Sequence, residues 1–410
     1  MTPALLLALA IAAPETQVAT WPQWRGPTRD GFVAKGSAAW PVKLDDKALT
    51  KLWSADDLGP SYSGPIVSAD KVFITETVDK KEERVTAYDR KTGKQAWQVK
   101  WDGSTTVPFF AAKNGSWIRA TPAFDGERLY VAGIRDVLVC LNAADGKEAW
   151  RFDCVKEFKT AVPTFGTVCS PLVDDKFVYF QADGGVVKLD KATGKQAWRA
   201  MEESGGMMGG AFSSPVKAKL AGTDQLVVQT RTTLAGVDLE SGKQLWKKDI
   251  PSFRGMNILT PVTEGDTVFT STYGGTTQGF TVASDGGKQK TVDGWSLKYE
   301  GHMCTPVVVG GHAYFLGKDR KMACVNVNTG KEAWRSEKTY SDYCSLVANG
   351  DRIMALDSKG KLLLLKADPK AFEVVGEATV GGGDAWAHLA VCGDVVFVRG
   401  LAGLTAYQWK

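Results

Sequence analysis

The sequence has 410 residues, with 50 Lys and Arg against 46 Asp and Glu, a net charge of +4, and 44% hydrophobic residues. This composition excludes a disordered chain, and so small a net charge predicts that nucleic acid is not a partner. The 44 glycines and 14 tryptophans are many for a helical protein and favour tight turns between short strands.

The chain begins with an apolar run of ten residues, 4–13, before the polar segment 15–17. Such a run is too short to cross a bilayer but fits the core of a secretory signal, with a buried N-terminal strand or helix as the alternative. We predict a signal peptide over 1–19, an N-terminal extension over 20–50, and export to the periplasm or the extracellular space. No later run of this length lacks charges, and the first cysteine is Cys140, so neither a transmembrane span nor a lipid anchor is expected.

A phrase of eleven residues, AYDRKTGKQAW at 87–97, recurs along the chain. Successive copies lie 39 to 53 residues apart, a period typical of one structural unit stacked many times. The five full copies share a turn glycine four residues before their last tryptophan: Gly93, Gly146, Gly194, Gly242 and Gly330. The copies end at Trp53, Trp97, Trp150, Trp198, Trp246, Trp295 and Trp334, of which the Trp53 and Trp295 copies are degenerate.

The phrase predicts a strand, a tight turn and a second strand. Asp or Asn followed by Thr-Gly or a similar pair forms the turn, with the glycine at positive φ. The tryptophan ends the second strand and offers a large flat surface to the neighbouring unit. Upstream in each unit a Ser or Thr precedes a Pro and a β-branched run, as at 121–122 and 170–171. With one apolar strand between the two signals, each unit has four strands, A to D, as a propeller blade does.

Counting the upstream signal gives eight units, of which the one near 374–376 lacks a tryptophan. The last unit stops at strand C, 404–409, whereas the chain begins with a lone strand D around Trp53. Pairing these two strands leaves no sheet edge open. We therefore predict an all-β fold, one eight-bladed propeller of four-stranded blades over 51–410 that the N-terminal strand closes. Seven blades are the alternative, because the unit at 368–380 is weak.

The pattern AxDxxTGKxxW at 87–97 resembles the tryptophan-docking motif of the pyrroloquinoline quinone (PQQ) repeat propellers, and residues 21–31 are similar to the segment that precedes such propellers. The resemblance covers residues 50–410. It implies one of two functions. One is that of the quinoprotein alcohol dehydrogenases, which bind PQQ and calcium, and the other is that of the non-enzymatic, BamB-like envelope proteins.

The residues favour the non-enzymatic branch. The dehydrogenases resemble one another in an adjacent cysteine pair over the cofactor, which this sequence lacks, and its blades are near minimal length. No calcium ligand or catalytic Asp can be placed by motif, and the common hydrolase signatures are absent. We expect an exported, non-catalytic binding or scaffold protein with no cofactor and no metal. A PQQ- and calcium-dependent oxidoreductase is the alternative, and an enzyme with an unrecognised loop-face site is a third.

The D–A and B–C loops of a propeller emerge on one face, which usually carries function. The residues ahead of each strand A and in the B–C loops predict a crown of cations, aromatic rings and amides on this loop face. Such a crown suits a protein, a peptide or a glycan, with Arg binding carboxylates bidentately, and a solvated polar rim is the alternative. The predicted ligand-binding residues are Arg119, Arg135, Arg231, Asn257, His302, Asp342, Tyr343, Trp386 and Arg399.

Three of the seven cysteines, Cys169, Cys304 and Cys344, share one register just before strand A, close to His302 and His388. Thiolate and imidazole suit zinc or copper, so a metal cluster is one hypothesis. Small residues fill the same register in other blades, and free cysteine is usually buried and inert. We therefore interpret these cysteines as packing residues.

Overall fold

The computed structural model describes residues 18–202, 212–381 and 383–409, so most of the predicted signal peptide lies outside the described residues. Within these ranges, 32 strands form eight antiparallel sheets of four strands each, and helix is confined to short segments such as α1 (Cys154–Phe158). No helix among the described residues is both long and apolar enough to cross a membrane. The predicted eight-bladed, all-β propeller is confirmed.

The chain enters the propeller with β1 (Leu49–Ala55), and seven blades then follow in chain order, each running from inner strand A to outer strand D. Blades 1 to 3 are β2 (Ile66–Val67), β3 (Lys71–Val78), β4 (Glu82–Asp89), β5 (Gln95–Asp102); β6 (Ala123–Phe124), β7 (Arg128–Gly133), β8 (Val137–Asn142), β9 (Glu148–Asp153); and β10 (Leu172–Val173), β11 (Phe177–Ala182), β12 (Gly185–Asp190), β13 (Gln196–Ala200). Blades 4 and 5 are β14 (Val216–Leu220), β15 (Thr223–Gln229), β16 (Thr233–Asp238), β17 (Gln244–Asp249); and β18 (Val262–Glu264), β19 (Thr267–Ser271), β20 (Thr277–Asp285), β21 (Lys288–Leu297).

The last three blades complete the ring. They are β22 (Val307–Val309), β23 (His312–Leu316), β24 (Met322–Asn326), β25 (Glu332–Arg335); β26 (Cys344–Asn349), β27 (Arg352–Asp357), β28 (Lys361–Lys366), β29 (Val374–Thr379); and β30 (Ala390–Cys392), β31 (Val395–Arg399), β32 (Leu404–Trp409) with β1. Strand β1 pairs antiparallel with β32, which confirms the predicted closure. The weak unit near residue 370 forms a regular blade, so the seven-bladed alternative is wrong.

Neighbouring blades are joined by the repeated turn and tryptophan. In blade 3 the turn glycine Gly194 has φ +71, and a Cβ there would lie 2.7 Å from the ring of Trp150 in blade 2. The Trp150 indole N–H donates to the Lys191 carbonyl in the same turn, at 3.0 Å. Six of the eight junctions have this indole-to-turn bond, at 2.8–3.1 Å; the donors are Trp53, Trp97, Trp150, Trp198, Trp295 and Trp334.

Two junctions depart from this arrangement. Trp246 of blade 4 donates to Gln225 of its own blade, since blade 5 has a longer hairpin without the repeated turn sequence. In blade 7, Gly376 stands in the register that the tryptophan occupies in other blades. The backbone of Leu44, from the N-terminal extension, passes so close over this glycine that a Cβ added to it would lie only 2.2–2.8 Å from Leu44 atoms. The extension therefore takes the place of the missing indole.

The Ser or Thr before the strand-A proline of blades 2 to 6 also has a structural role. The hydroxyl of Thr121 accepts the backbone N–H of Gly64 in the preceding blade, and Ser170 accepts that of Thr121. Ser214, Thr260 and Thr305 continue the series, each hydroxyl bonding the equivalent backbone one blade back. Because proline removes the next donor, these hydroxyl contacts satisfy the inner backbone where strand A begins.

Candidate functional site

Four aromatic side chains lie ahead of strand A in four consecutive blades on the loop face. Tyr343 stacks on Trp386 with centroids 5.7 Å apart and planes at 15°, and Trp386 lies 5.7 Å from Tyr62. Tyr62 meets Trp117 edge-on at 5.4 Å. All four rings are half-buried. We call Tyr343, Trp386, Tyr62 and Trp117 the aromatic arc.

Charged groups border the aromatic arc. The Arg119 guanidinium lies 5.8 Å from the centre of the Tyr62 ring and donates to the Gly115 carbonyl at 2.8 Å. Burial lowers the pKa of Arg119 to about 10 and raises the pKa of Tyr62. Lys359 and Asp384 form an exposed ion pair at 2.7 Å. The arc thus offers apolar ring surface beside polar groups, a combination found at protein-binding surfaces.

Two other predicted residues, Arg135 and Asp342, are exposed on the same face. The only hydrogen bond of Arg135 within the described residues is a long one, 3.5 Å, to the Ser104 carbonyl. Both side chains are therefore accessible to a partner, and the ligand contact predicted for them stays a prediction.

Three predicted ligand residues are instead buried and bound to backbone. Arg399 is 1% exposed and donates to the carbonyls of Gly59 (2.6 Å) and of its own B–C loop. Asn257 is 1% exposed, and its amide donates to the carbonyls of Arg231 and Ile250. Arg231 is itself buried, against Phe212 and the Arg254 carbonyl. The contacts of these three residues hold loops together, so the residues are not part of the proposed binding surface.

His302, the remaining predicted residue, lies near a cavity of about 370 Å³ at the junction of blades 5 and 6 but does not line it. Its ring is 5.0 Å from Tyr273, on which the Lys318 ammonium also lies, and burial lowers its pKa. The cavity is lined by Lys298, Tyr299, Glu300, Lys318, Asp319, Arg335 and Gly275. Most of its charges are already paired: Lys318 with Glu300 at 3.0 Å and Arg335 with Asp319 at 3.4 Å.

Buried carboxylates join blades beneath the loop face. The Glu83 carboxylate of blade 1 accepts the backbone N–H of Ile134 in blade 2 at 2.6 Å. Asp136 of blade 2 accepts the N–H of Asp183 in blade 3, also at 2.6 Å, and the Thr167 hydroxyl. Burial raises the pKa of both Glu83 and Asp136 to about 7. These groups make structural contacts that the repeat did not predict.

The N-terminal segment, residues 18–48, crosses the inner ring. Trp21 bridges to Val67 of blade 1, and Phe32 bridges to Ala348 of blade 7. Between them, Arg25 donates to the carbonyls of Thr305 and Pro306.

Arg29 of this segment donates to three inner-strand carbonyls, those of Ser170, Pro171 and Pro215. Both guanidinium groups are buried, and Trp24 lies within 5.6 Å of each. The segment therefore ties together blades on opposite sides of the ring.

A calcium ion bound together with PQQ would need oxygen donors from this chain. Calcium prefers several carboxylate and carbonyl oxygens around one point. No group of three or more His, Cys, Asp or Glu side chains in the described ranges is arranged to hold a metal ion. Near the aromatic arc the carboxylates Asp342 and Asp384 are exposed, and Asp384 is paired with Lys359. We therefore derive no chemical step through this cofactor.

The cysteines of the inner register pack between blades. All seven cysteines are buried, and none of them forms a disulfide. The Cys169 thiol donates to the Ser213 carbonyl at 3.0 Å, and the Cys344 backbone N–H donates to the Cys304 sulfur at 3.2 Å. His388 is buried under Trp21 and Trp24, and burial lowers its pKa to about 3. These contacts support the interpretation of the cysteines as packing residues.

A second row of aromatic rings lies on the loop face over blades 2 to 5. Phe109 and Phe110 project from a 3-10 turn, with exposures of 92% and 56%, and Phe253 is 56% exposed. Phe110 packs on Phe165 at 6.2 Å, and Phe165 packs on Phe212 at 5.9 Å. None of these rings is among the predicted ligand-binding residues, because nothing in the repeat specifies which way a loop side chain points.

The ring of eight four-stranded blades, its docked tryptophans and its turn sequence define the class of protein: a β-propeller of PQQ-type repeats. The sequence matches the family described as outer membrane protein assembly factor BamB over residues 33–99, 81–336 and 282–408, and the chain belongs to that family.

Individual relatives agree with this assignment. BamB of Yersinia pestis is 22% identical over 326 residues, which are 78% of this chain and 68% of the relative. The BamB structure from Moraxella catarrhalis has a TM-score of 0.60 at 16% identity, covering 88% of this chain and 98% of that one. The quinohemoprotein alcohol dehydrogenase of Comamonas testosteroni has a TM-score of 0.63 at 14% identity, covering 95% and 80%. At such identities the two structures show the fold alone.

Proposed function

We propose that this protein is an exported, non-catalytic scaffold in outer membrane protein assembly, and that it docks a partner protein on the aromatic arc. Membership of the BamB family supports the process. The arc is the observation that carries the docking site, because it gives four half-buried rings on adjacent rigid blades. Tyr and Trp supply large contact area and are enriched where one protein binds another.

The charges around the aromatic arc suit a polar rim. Asp342 and the Lys359–Asp384 pair are exposed, whereas the four rings of the arc are half-buried. Such an apolar centre with a charged border is the usual anatomy of a protein interface. We also propose a location in the periplasm, because its relatives are outer membrane protein assembly factors.

A complementation experiment tests this proposal. Deleting the gene in its native host should lower the amount of assembled outer membrane proteins, and the wild-type protein should restore it. Trp386→Ala combined with Tyr343→Ala should restore it poorly at equal abundance. The matched control is Val42→Ala with Val292→Ala, two exposed apolar residues outside the arc. Unchanged outer membrane proteins in the deletion strain would refute the role in assembly.

The oxidoreductase alternative rests on the quinohemoprotein relatives. Purified protein would be incubated with PQQ and calcium and assayed for dye-linked alcohol oxidation. We expect no turnover above a protein-free control, because no group of three or more His, Cys, Asp or Glu side chains in the described ranges is arranged to hold a metal ion. Cofactor-dependent turnover would replace the scaffold proposal with an enzymatic one.

A further inference from the structure

The most exposed large apolar side chains of the loop face lie outside the aromatic arc. Phe109 is 92% exposed, and Phe110 and Phe253 are each 56% exposed. The 3-10 turn under the first pair is anchored by buried Ala111 and by packing of Phe110 on Phe165. Two phenylalanine rings that a well-packed turn holds exposed to water are unfavourable on the surface of a soluble protein, so they indicate a binding role.

The charges within the two loops that carry these rings have one sign. The loop over residues 103–122 contains two cations, Lys113 and Arg119, and no acid, and the loop over residues 250–261 contains Arg254 and no acid. Lys113 and Arg254 are exposed, and neither has a carboxylate within 4 Å among the described residues. Two loops with apolar tips and only positive charge complement a surface that is apolar inside and anionic outside.

We propose that these two loops contact an anionic membrane surface, with Phe109, Phe110 and Phe253 entering the headgroup region and Lys113 and Arg254 bound to lipid phosphates. Aromatic tips with flanking cations are typical of segments that lie in a membrane interface. This goes beyond the proposed scaffold role, since it concerns a lipid surface and a different set of residues.

The contrast with the aromatic arc favours lipid over a protein partner here. The arc consists of Tyr and Trp rings that are half-buried and bordered by both charge signs. Phe109, in contrast, projects almost fully, has no polar group and has only cations in its loop. A projecting apolar tip can enter a fluid interface without a matching pocket.

A fluorescent label at position 109 tests the contact directly. Because all seven native cysteines are buried, Phe109→Cys can be labelled selectively with an environment-sensitive dye such as NBD. Vesicles of phosphatidylethanolamine and phosphatidylglycerol should shift its emission to the blue, and the shift should shrink in high salt. Val42→Cys, at an equally exposed site on the N-terminal extension, is the control and should not shift.

Sedimentation with the same vesicles tests the unlabelled side chains. Phe110→Ser with Phe253→Ser should lower binding at least about tenfold, because each ring loses its buried apolar area. Lys113→Glu with Arg254→Glu should lower binding to anionic vesicles only. Val42→Ser with Val292→Ser should bind like the wild type.

Three results would overturn the membrane contact. One is no emission shift with anionic vesicles, and another is equal binding to phosphatidylcholine vesicles. The third is crosslinking of position 109 to a purified protein partner while vesicles leave the label in water. None of these bears on the complementation by arc variants, so failure of this inference is distinct from failure of the scaffold proposal.

Discussion

The two ends of the propeller join their blades in different ways. At the end with the C–D turns, six junctions have an indole N–H bonded to a turn carbonyl, and in five of them the ring also lies on a turn glycine. Toward the loop face, the buried carboxylate contacts are particular to one junction each, as with Glu83 to Ile134 and Asp136 to Asp183. The repeated end therefore stabilises the ring, and the loop face is free to differ from blade to blade.

The largest expected effect comes from removing one indole at the repeated end. Trp198 is buried and donates to the Leu239 carbonyl at 3.1 Å. Trp198→Ala should lower the free energy of unfolding by about 3–5 kcal/mol, because it leaves a cavity between blades 3 and 4. Urea denaturation would measure it. The control Leu52→Ala, at a position 44% exposed, should change the free energy of unfolding by no more than about 0.5 kcal/mol. If Trp198→Ala caused a loss as small as that, the repeated end would not be the end that stabilises the ring.

The next effect tests the loop face through its pH dependence. The Glu83 carboxylate is buried, and desolvation raises its pKa from 4.5 to about 7. Between pH 4.5 and about pH 7, Glu83 is therefore protonated in the folded protein and ionised in the unfolded chain. The free energy of unfolding should therefore rise as pH falls from 8 to 5, by on the order of 2–3 kcal/mol from this group, and Asp136 should act in the same direction.

Thermal unfolding of Glu83→Gln across this pH range checks the assignment. The amide still accepts the Ile134 N–H but cannot titrate, so the dependence on pH should flatten. Glu157→Gln, an exposed position, is the matched control and should keep the wild-type slope. Because buried His388, whose pKa burial lowers to about 3, contributes with the opposite sign below pH 6.5, the decisive quantity is the difference between Glu83→Gln and the wild type. A Glu83→Gln variant that keeps the wild-type slope would show that the Glu83 carboxylate does not behave as described.

The smallest expected effect comes from replacing a turn glycine, and it separates the cost of the left-handed backbone from the cost of displacing the indole. Gly242 has φ +72, and a Cβ there would lie 2.8 Å from the Trp198 ring, whereas Gly265 has φ +55 and nothing within 4 Å. Alanine at either position should cost about 1 kcal/mol for the left-handed backbone. Gly242→Ala should cost about 1 kcal/mol more, because the indole must move. Equal losses in chemical denaturation would mean that the close approach of indole and glycine is unimportant.

The sequence predicted the repeated end well because its interactions are local. The side chain of Asp89 accepts the backbone N–H groups of Lys91 and Thr92, and Gly93 takes positive φ, all within five residues. The same sequence in each unit forms the same turn, so blade number and the pairing of β1 with β32 followed from counting.

The sequence was less informative about the loop face. Tyr343 and Trp386 were predicted from their register ahead of strand A, and the structure stacks them. Arg231, Asn257 and Arg399 were chosen by the same reasoning, yet they are buried and bound to backbone carbonyls. Register gives the position of a residue along a blade but not the packing that decides whether its side chain reaches solvent.

By itself, the sequence determined a ring of eight sheets, because turn geometry and the alternation of buried residues act over a few neighbours. Only the tertiary structure decided that Leu44 covers Gly376, that Arg25 and Arg29 bind carbonyls across the ring, and that Phe109 projects into water. These contacts join residues far apart in the chain. They depend on the closed shape of the whole propeller, which no local pattern contains.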